Sequence, residues 1–234
     1  MPVDPKERLQ SGVDAMREGR YAEALADFVW FHDNALKHDR SLRGVRLSFA
    51  LGDWIDLAYE YPPAMQKLES IRDKKTAMIS RGKGDYALFN DVASINEYLK
   101  EEHRTRELFQ HLDRSNPDFA QRCASLAFDA LVRGGMYELA HRYMSDTEGA
   151  LLQLSENFNW SVVYHAPKPP PLGPRVRRVF IQKYCEDIQM RAAVLRNVSQ
   201  TENASWALHW GIALVEDAPT RKKVLRLLSL SAKD

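Results

Sequence analysis

At 234 residues the chain is long enough for one large domain or two small ones. A hydrophobic share of 44%, with nine Phe, nine Tyr and five Trp, supplies a core and excludes a wholly disordered chain. Charged residues make up 28% with a formal net charge of +1, so no global basic excess marks the chain as a nucleic-acid binder.

The charge is unevenly distributed. From Lys168 onward, twelve Lys and Arg face six Asp and Glu, which leaves the preceding part net acidic. Cys123 and Cys185 stand far apart and fit neither a metal spacing nor a disulfide framework, which favours a reducing compartment. Residues 1–8 lack the basic region and apolar core of a secretory signal, and no apolar run reaches the length of a membrane span. The expected location is therefore the cytoplasm. The acceptor patterns at Asn197 and Asn203 are then read as chance matches to a glycosylation signal.

In chain order, Pro5 to about Glu18 places Leu9, Gly12, Val13 and Met16 at helical spacing. Gly19-Arg20-Tyr21 interrupts, and a second helix follows with Leu25, Phe28, Val29 and Leu36 on one stripe. The pair predicts an αα-hairpin. The same punctuation recurs at Gly52-Asp53-Trp54, Gly84-Asp85-Tyr86 and Gly135-Met136-Tyr137. Each is read as a turn whose aromatic is buried between paired helices. A further helix is expected over about Asn96 to Leu112, and another from the cap Asn116-Pro117 to Gly134. Thr147 to Val163 reads as helix, with Trp160 to Tyr164 as the one candidate short strand. The Pro-rich stretch from Ala166 to Pro174 favours extended polyproline conformation. Beyond it, helices are expected over Val176 to Val198, Glu202 to Glu216, and from Pro219 onward.

Intervals of 33, 32 and 51 residues between the Gly-x-aromatic turns, with Gly12, Ala24 and Phe28 around the first and Ala127 and Ala140 around the last, resemble a degenerate tetratricopeptide repeat. The resemblance covers roughly residues 5–146. Leu57 and Phe89 depart from the small residue of the pattern, and Pro62-Pro63 falls where the second helix of unit two is expected. The fold class read here is all-α: antiparallel helical hairpins in a tetratricopeptide-like array, then a C-terminal helical segment. The expected organisation is an array over 1–166, a Pro-rich strap over 167–174, and helices over 175–234.

Catalytic motifs are missing from the sequence. The seven histidines form no zincin pair, Ser80-Arg-Gly-Lys-Gly-Asp85 lacks P-loop spacing, and no nucleophile elbow occurs. No catalytic, cofactor or metal residue is assigned. The resemblance instead implies a concave groove lined by the first helix of each hairpin. Its register places Arg17, Arg46, Arg81 and Arg133 there, with Phe49 among the apolar neighbours. Arginine forks suit carboxylate and phosphate groups, so an acidic protein or peptide segment is the expected partner, ahead of nucleic acid. Leu9 and Val13 stand where the carboxylate-clamp subfamily carries Lys and Asn, which argues against that mode of peptide recognition. The competing expectation is a helical enzyme or small-ligand binder with a pocket between the array and the C-terminal helices.

Overall fold

The computed structural model describes residues 4–144, 146–164 and 173–231. Among them the chain forms helices and turns and no strand, as the all-α reading requires. Trp160–Tyr164, the candidate strand, is instead a wide helical turn. Two compact units divide the chain, Met1–Ala130 and Leu131–Asp234.

The first unit opens with α1 (Pro5–Arg17) and α2 (Tyr21–His38). The Asp4 carboxylate accepts from the Lys6 N–H at 2.8 Å, and Pro5 fits the first turn, where its missing N–H is no loss. Gly19, at φ +76°, ends α1, and the Arg20 N–H reaches back to the Ala15 carbonyl at 2.8 Å. The two helices fold together over Gly12, where a Cβ would stand 2.7 Å from the Phe28 ring. After a 3-10 turn come α3 (Arg43–Leu47), α4 (Phe49–Glu60), α5 (Pro62–Met78), a wide turn (Ile79–Lys83), α6 (Tyr86–Tyr98), α7 (Glu102–Ser115) and α8 (Pro117–Arg133). The unit boundary falls within α8. Successive helices from α1 to α7 pack on one another, and α4 also touches α1 and α6. Ala15, Phe28, Trp54, Leu57, Leu68 and Ile95 belong to one buried core.

Three expected boundaries change. Gly52-Asp53-Trp54 lies inside α4 and is no turn. The break comes at Tyr61, and Pro62-Pro63 open α5, where proline costs nothing. Gly84 therefore separates α5 from α6, and the left-handed residue of that turn is Gly82, at φ +74°. Asn96 belongs to α6, and the next helix begins only at Glu102, after Lys100 at φ +60°. The turn aromatics differ accordingly. Trp54 is buried, Tyr21 and Tyr137 are half-buried, and Tyr86 is exposed, so burial between paired helices does not hold for all four.

The second unit contains α9 (Tyr137–Arg142), α10 (Thr147–Asn159), α11 (Pro174–Asn197), α12 (Thr201–Ala213) and α13 (Ala218–Ser231). Gly135 turns at φ +71° before α9, as its sequence suggests. Phe158 stacks on Tyr184 at 4.2 Å, and the Tyr184 hydroxyl donates to the Gly211 carbonyl at 2.7 Å. Asn159 donates to the Leu214 carbonyl at 2.9 Å and accepts from the Glu216 N–H at 3.1 Å. Helices on either side of the Pro-rich stretch thus share one core, with Leu151, Ile188, Ala207 and Val224. Residues 166–172 of that stretch lie outside the described residues.

Candidate functional site

The most concentrated polar chemistry of the first unit is inside it. The short helix α3 turns Arg46 inward, to 6% exposure. Its Nε donates to the His32 carbonyl at 2.6 Å, and its two terminal nitrogens grip the Asp91 carboxylate at 2.6 and 2.7 Å. His32 Nε2 lies 3.1 Å from Arg46 Nη2 and 2.8 Å from Lys75 Nζ. Lys75 also pairs with Asp91. Side chains from α2, α3, α5 and α6 meet at this point.

Burial pushes the Asp91 carboxyl up, but the Arg46 hydrogen bonds and the charges of Arg46 and Lys75 outweigh it and hold the group down at about 2. Burial, then the two neighbouring cations, lowers His32 to about 3. A neutral ring is what the geometry needs, because Nε2 faces two cationic donors and must accept. Burial also lowers Lys75, against the attraction of Asp91.

One turn along α5, Arg72 is 2% exposed and donates to Asp73 at 2.6 Å, to Asn96 at 3.3 Å and to Glu101. Asn96 in turn donates to the Thr105 hydroxyl at 3.0 Å. The two networks fasten α5 to α6 and α7. They hold no nucleophile, and their donors are used within the fold, so they act as clamps. Cys123 and Cys185 are buried, and burial pushes both thiols up to about 11, which keeps them neutral. Among the described residues no group of three His, Cys, Asp or Glu is placed to hold a metal, and no helix is long and apolar enough to cross a membrane.

The structure places the five residues expected to line one groove in different surroundings. Arg46 points into the core. Arg17 is exposed, 3.5 Å from Asp14. Phe49 is 75% exposed at the start of α4. Arg81 lies in the turn before α6, and Arg133, exposed at the end of α8, belongs to the second unit.

Open surfaces occur in both units among the described residues. The first is the outward stripe of α4, where Phe49, Asp53, Asp56, Tyr59 and Glu60 follow helical spacing and Tyr59 is 77% exposed. Tyr98 of α6 flanks it, 3.7 Å from where a Cβ on Gly52 would stand. Burial, then the charge of Asp56, raises the Asp53 carboxyl, against the influence of Arg17 on α1. The second is a cleft of about 260 Å³ at the turn between α5 and α6, lined by Ile79, Ser80, Arg81, Gly82, Gly84, Leu112, Ser115, Asn116 and Phe119. The third, in the second unit, is a cleft of about 550 Å³ among α9 to α12, into which His141, Thr147, Glu148, Gln200, Asn203 and Trp206 project. There His141 Nε2 lies 3.2 Å from the Gln200 amide nitrogen.

Compared with protein-family models, curated proteins and solved structures, the chain matches none.

Sequence reasoning missed His32, Lys75 and Asp91. A signal for them exists, since each falls on or beside a core stripe. His32 follows Phe28 and Phe31, Asp91 lies between Phe89 and Val92, and Lys75 continues the stripe of Ala64, Leu68 and Arg72. A charge at a core-facing helical position implies a buried partner.

Proposed function

We propose that the chain is a protein–protein interaction module whose open α4 face holds a segment of a partner. The observation that carries this reading is the exposure of Phe49 and Tyr59, at 75% and 77%, on a helix whose opposite side buries Leu51, Trp54 and Leu57. Large aromatics left in water on a firmly seated helix suit binding anchors. The neighbours α1 and α6 supply the sides, as the first helices of hairpins do in tetratricopeptide-like arrays. Of the arginines that suggested an acidic partner, Arg46 is buried in the core. Asp53 and Asp56 stand between the anchors and Glu60 follows the second, so the segment proposed here carries Lys or Arg beside apolar side chains. Two buried free thiols fit a reducing compartment such as the cytoplasm.

A photo-crosslinking residue placed at Glu60, exposed on α4 beside Tyr59, should capture a defined protein that the same residue at Lys37, exposed on α2, does not. The double substitution Phe49→Ala, Tyr59→Ala should abolish that capture in a lysate without lowering the melting temperature. Equal capture at the two positions would sink the reading.

A second reading, a small-ligand binder, draws on the 550 Å³ cleft, which is within the size range of ligand sites. Gln200→Ala with Asn203→Ala should then remove the thermal shift produced by any ligand found in a screen. A shift that survives both substitutions excludes this cleft.

A further inference from the structure

The cleft between the α5–α6 turn and the start of α8 is built from hydrogen-bond donors, and the α4 reading does not use it. Two glycines shape the turn. Gly82 takes φ +74°, which side chains rarely adopt. Gly84 has no room for a Cβ, which would stand 2.8 Å from Ile79 Cγ1 and 2.9 Å from its Cα. The turn is therefore held close over Ile79, and Ser80 and Arg81 line the opening.

Facing them is Asn116. Its side-chain oxygen is occupied in accepting from the Phe119 N–H at 3.1 Å, which leaves its NH₂ as the outward group. Ser115 contributes a hydroxyl that donates to the His111 carbonyl at 2.8 Å. No Asp or Glu lines the cleft. Lys83 is exposed on the same turn. Among the described residues neither Arg81, Lys83 nor the Ser80 hydroxyl has a hydrogen-bond or ion-pair partner, in contrast to the engaged Arg46 and Arg72. The floor is apolar, formed by Ile79, Leu112 and Phe119, and the volume of about 260 Å³ lies below the usual range for drug-sized ligands.

We infer that this cleft is a binding site for a phosphomonoester, with Arg81 pairing the anion, Ser80 and Asn116 donating to its oxygens, and the apolar floor taking the group that bears it. A phosphomonoester fits better than a carboxylate on charge and on geometry. It carries nearly two negative charges at neutral pH and three strong acceptor oxygens, to match a guanidinium, a nearby ammonium and two neutral donors. A carboxylate has one charge and two oxygens in a plane.

The test uses the whole chain and four probes: phenyl phosphate, a phosphothreonine hexapeptide, its unphosphorylated twin and inorganic phosphate, each titrated calorimetrically at two salt concentrations. The expected result is binding of both esters, weakened by salt, with inorganic phosphate weaker than either and no binding of the unphosphorylated peptide. Arg81→Gln should weaken ester binding about tenfold or more, the scale of a lost charge-assisted hydrogen bond. Arg17→Gln, an exposed arginine elsewhere, should leave it unchanged. If the peptide binds more tightly than phenyl phosphate, the phosphate is delivered by a protein segment; the reverse order assigns it to a small metabolite. No ester binding, equal binding of the unphosphorylated twin, or affinity unaffected by Arg81→Gln overturns the proposal. Phe49→Ala with Tyr59→Ala should not alter ester binding, so the two surfaces stand or fall separately.

Discussion

His32 changes its acid–base chemistry on folding. Its pKa falls to about 3 in the fold, from an ordinary value of 6.5. Between those values the unfolded chain binds a proton that the folded chain refuses, so stability drops as the pH is lowered from about 6.5 towards 3, by up to about 1.4 kcal/mol per pH unit. Asp91 acts at lower pH. Its carboxyl is held at about 2, so the stability it contributes above the ordinary carboxylate range is lost as the pH falls from about 4 to 2. Urea unfolding at a series of pH values should show the decline beginning above pH 5, and His32→Gln should flatten that upper part. A wild-type profile flat from pH 7 to 5 would contradict the buried neutral ring. Asp91→Ala leaves Arg46 and Lys75 without their carboxylate and should cost about 3–5 kcal/mol, the penalty of breaking a buried ion pair. A loss below about 1 kcal/mol would mean that water reaches the site.

Side-chain caps start α1, α6, α8 and α10, at Asp4, Asp85, Asn116 and Asp146, and a close approach seats α1 on α2. Gly12→Ala would drive a methyl to 2.7 Å from the Phe28 ring, an overpacking expected to cost about 1–3 kcal/mol at the α1–α2 contact. A thermal melt unchanged by that substitution would mean that the hairpin separates easily. The aromatics of the Gly-x-aromatic pattern divide by environment. Trp54, 1% exposed and donating from Nε1 to the Ala64 carbonyl at 2.9 Å, should cost about 3–5 kcal/mol on truncation to Ala. Tyr86, 40% exposed, should cost within about 0.5 kcal/mol. Equal losses at the two positions would restore the turn register that the positions of α4 and α6 replace.

For the whole molecule, surface and core divide the work. The Arg46 and Arg72 clamps hold the helices of the first unit, while Phe49 and Tyr59 are left on its exterior. Replacing both exterior aromatics by Ala should leave the urea midpoint within the range of ordinary surface changes while removing partner capture. A large fall in midpoint would recast these side chains as part of the fold. Exchanging Asp53 and Asp56 together for Asn should not weaken the fold, because burial and mutual repulsion already disfavour the Asp53 charge. It should weaken capture and reduce its salt dependence, since charges around an anchor act mainly on association.

The sequence by itself determined the all-α class, most helix positions, the capped start of α8 and the glycine turns at Gly19 and Gly135. Each rests on local physics: helical spacing of apolar residues, a side chain that can cap, or a backbone angle open to glycine. The α4 register was not legible locally, because Gly52 looks like a turn residue until it is seen beside Tyr98 on a packed helix. Nor was the fate of Arg46. In sequence it is one arginine among many, and the carboxylate that takes it inside is 45 residues away on α6. Which charges stay in water and which are drawn into the core depends on partners that only the folded chain brings together. For that reason the burial of Arg46 and Arg72 was decided by tertiary structure.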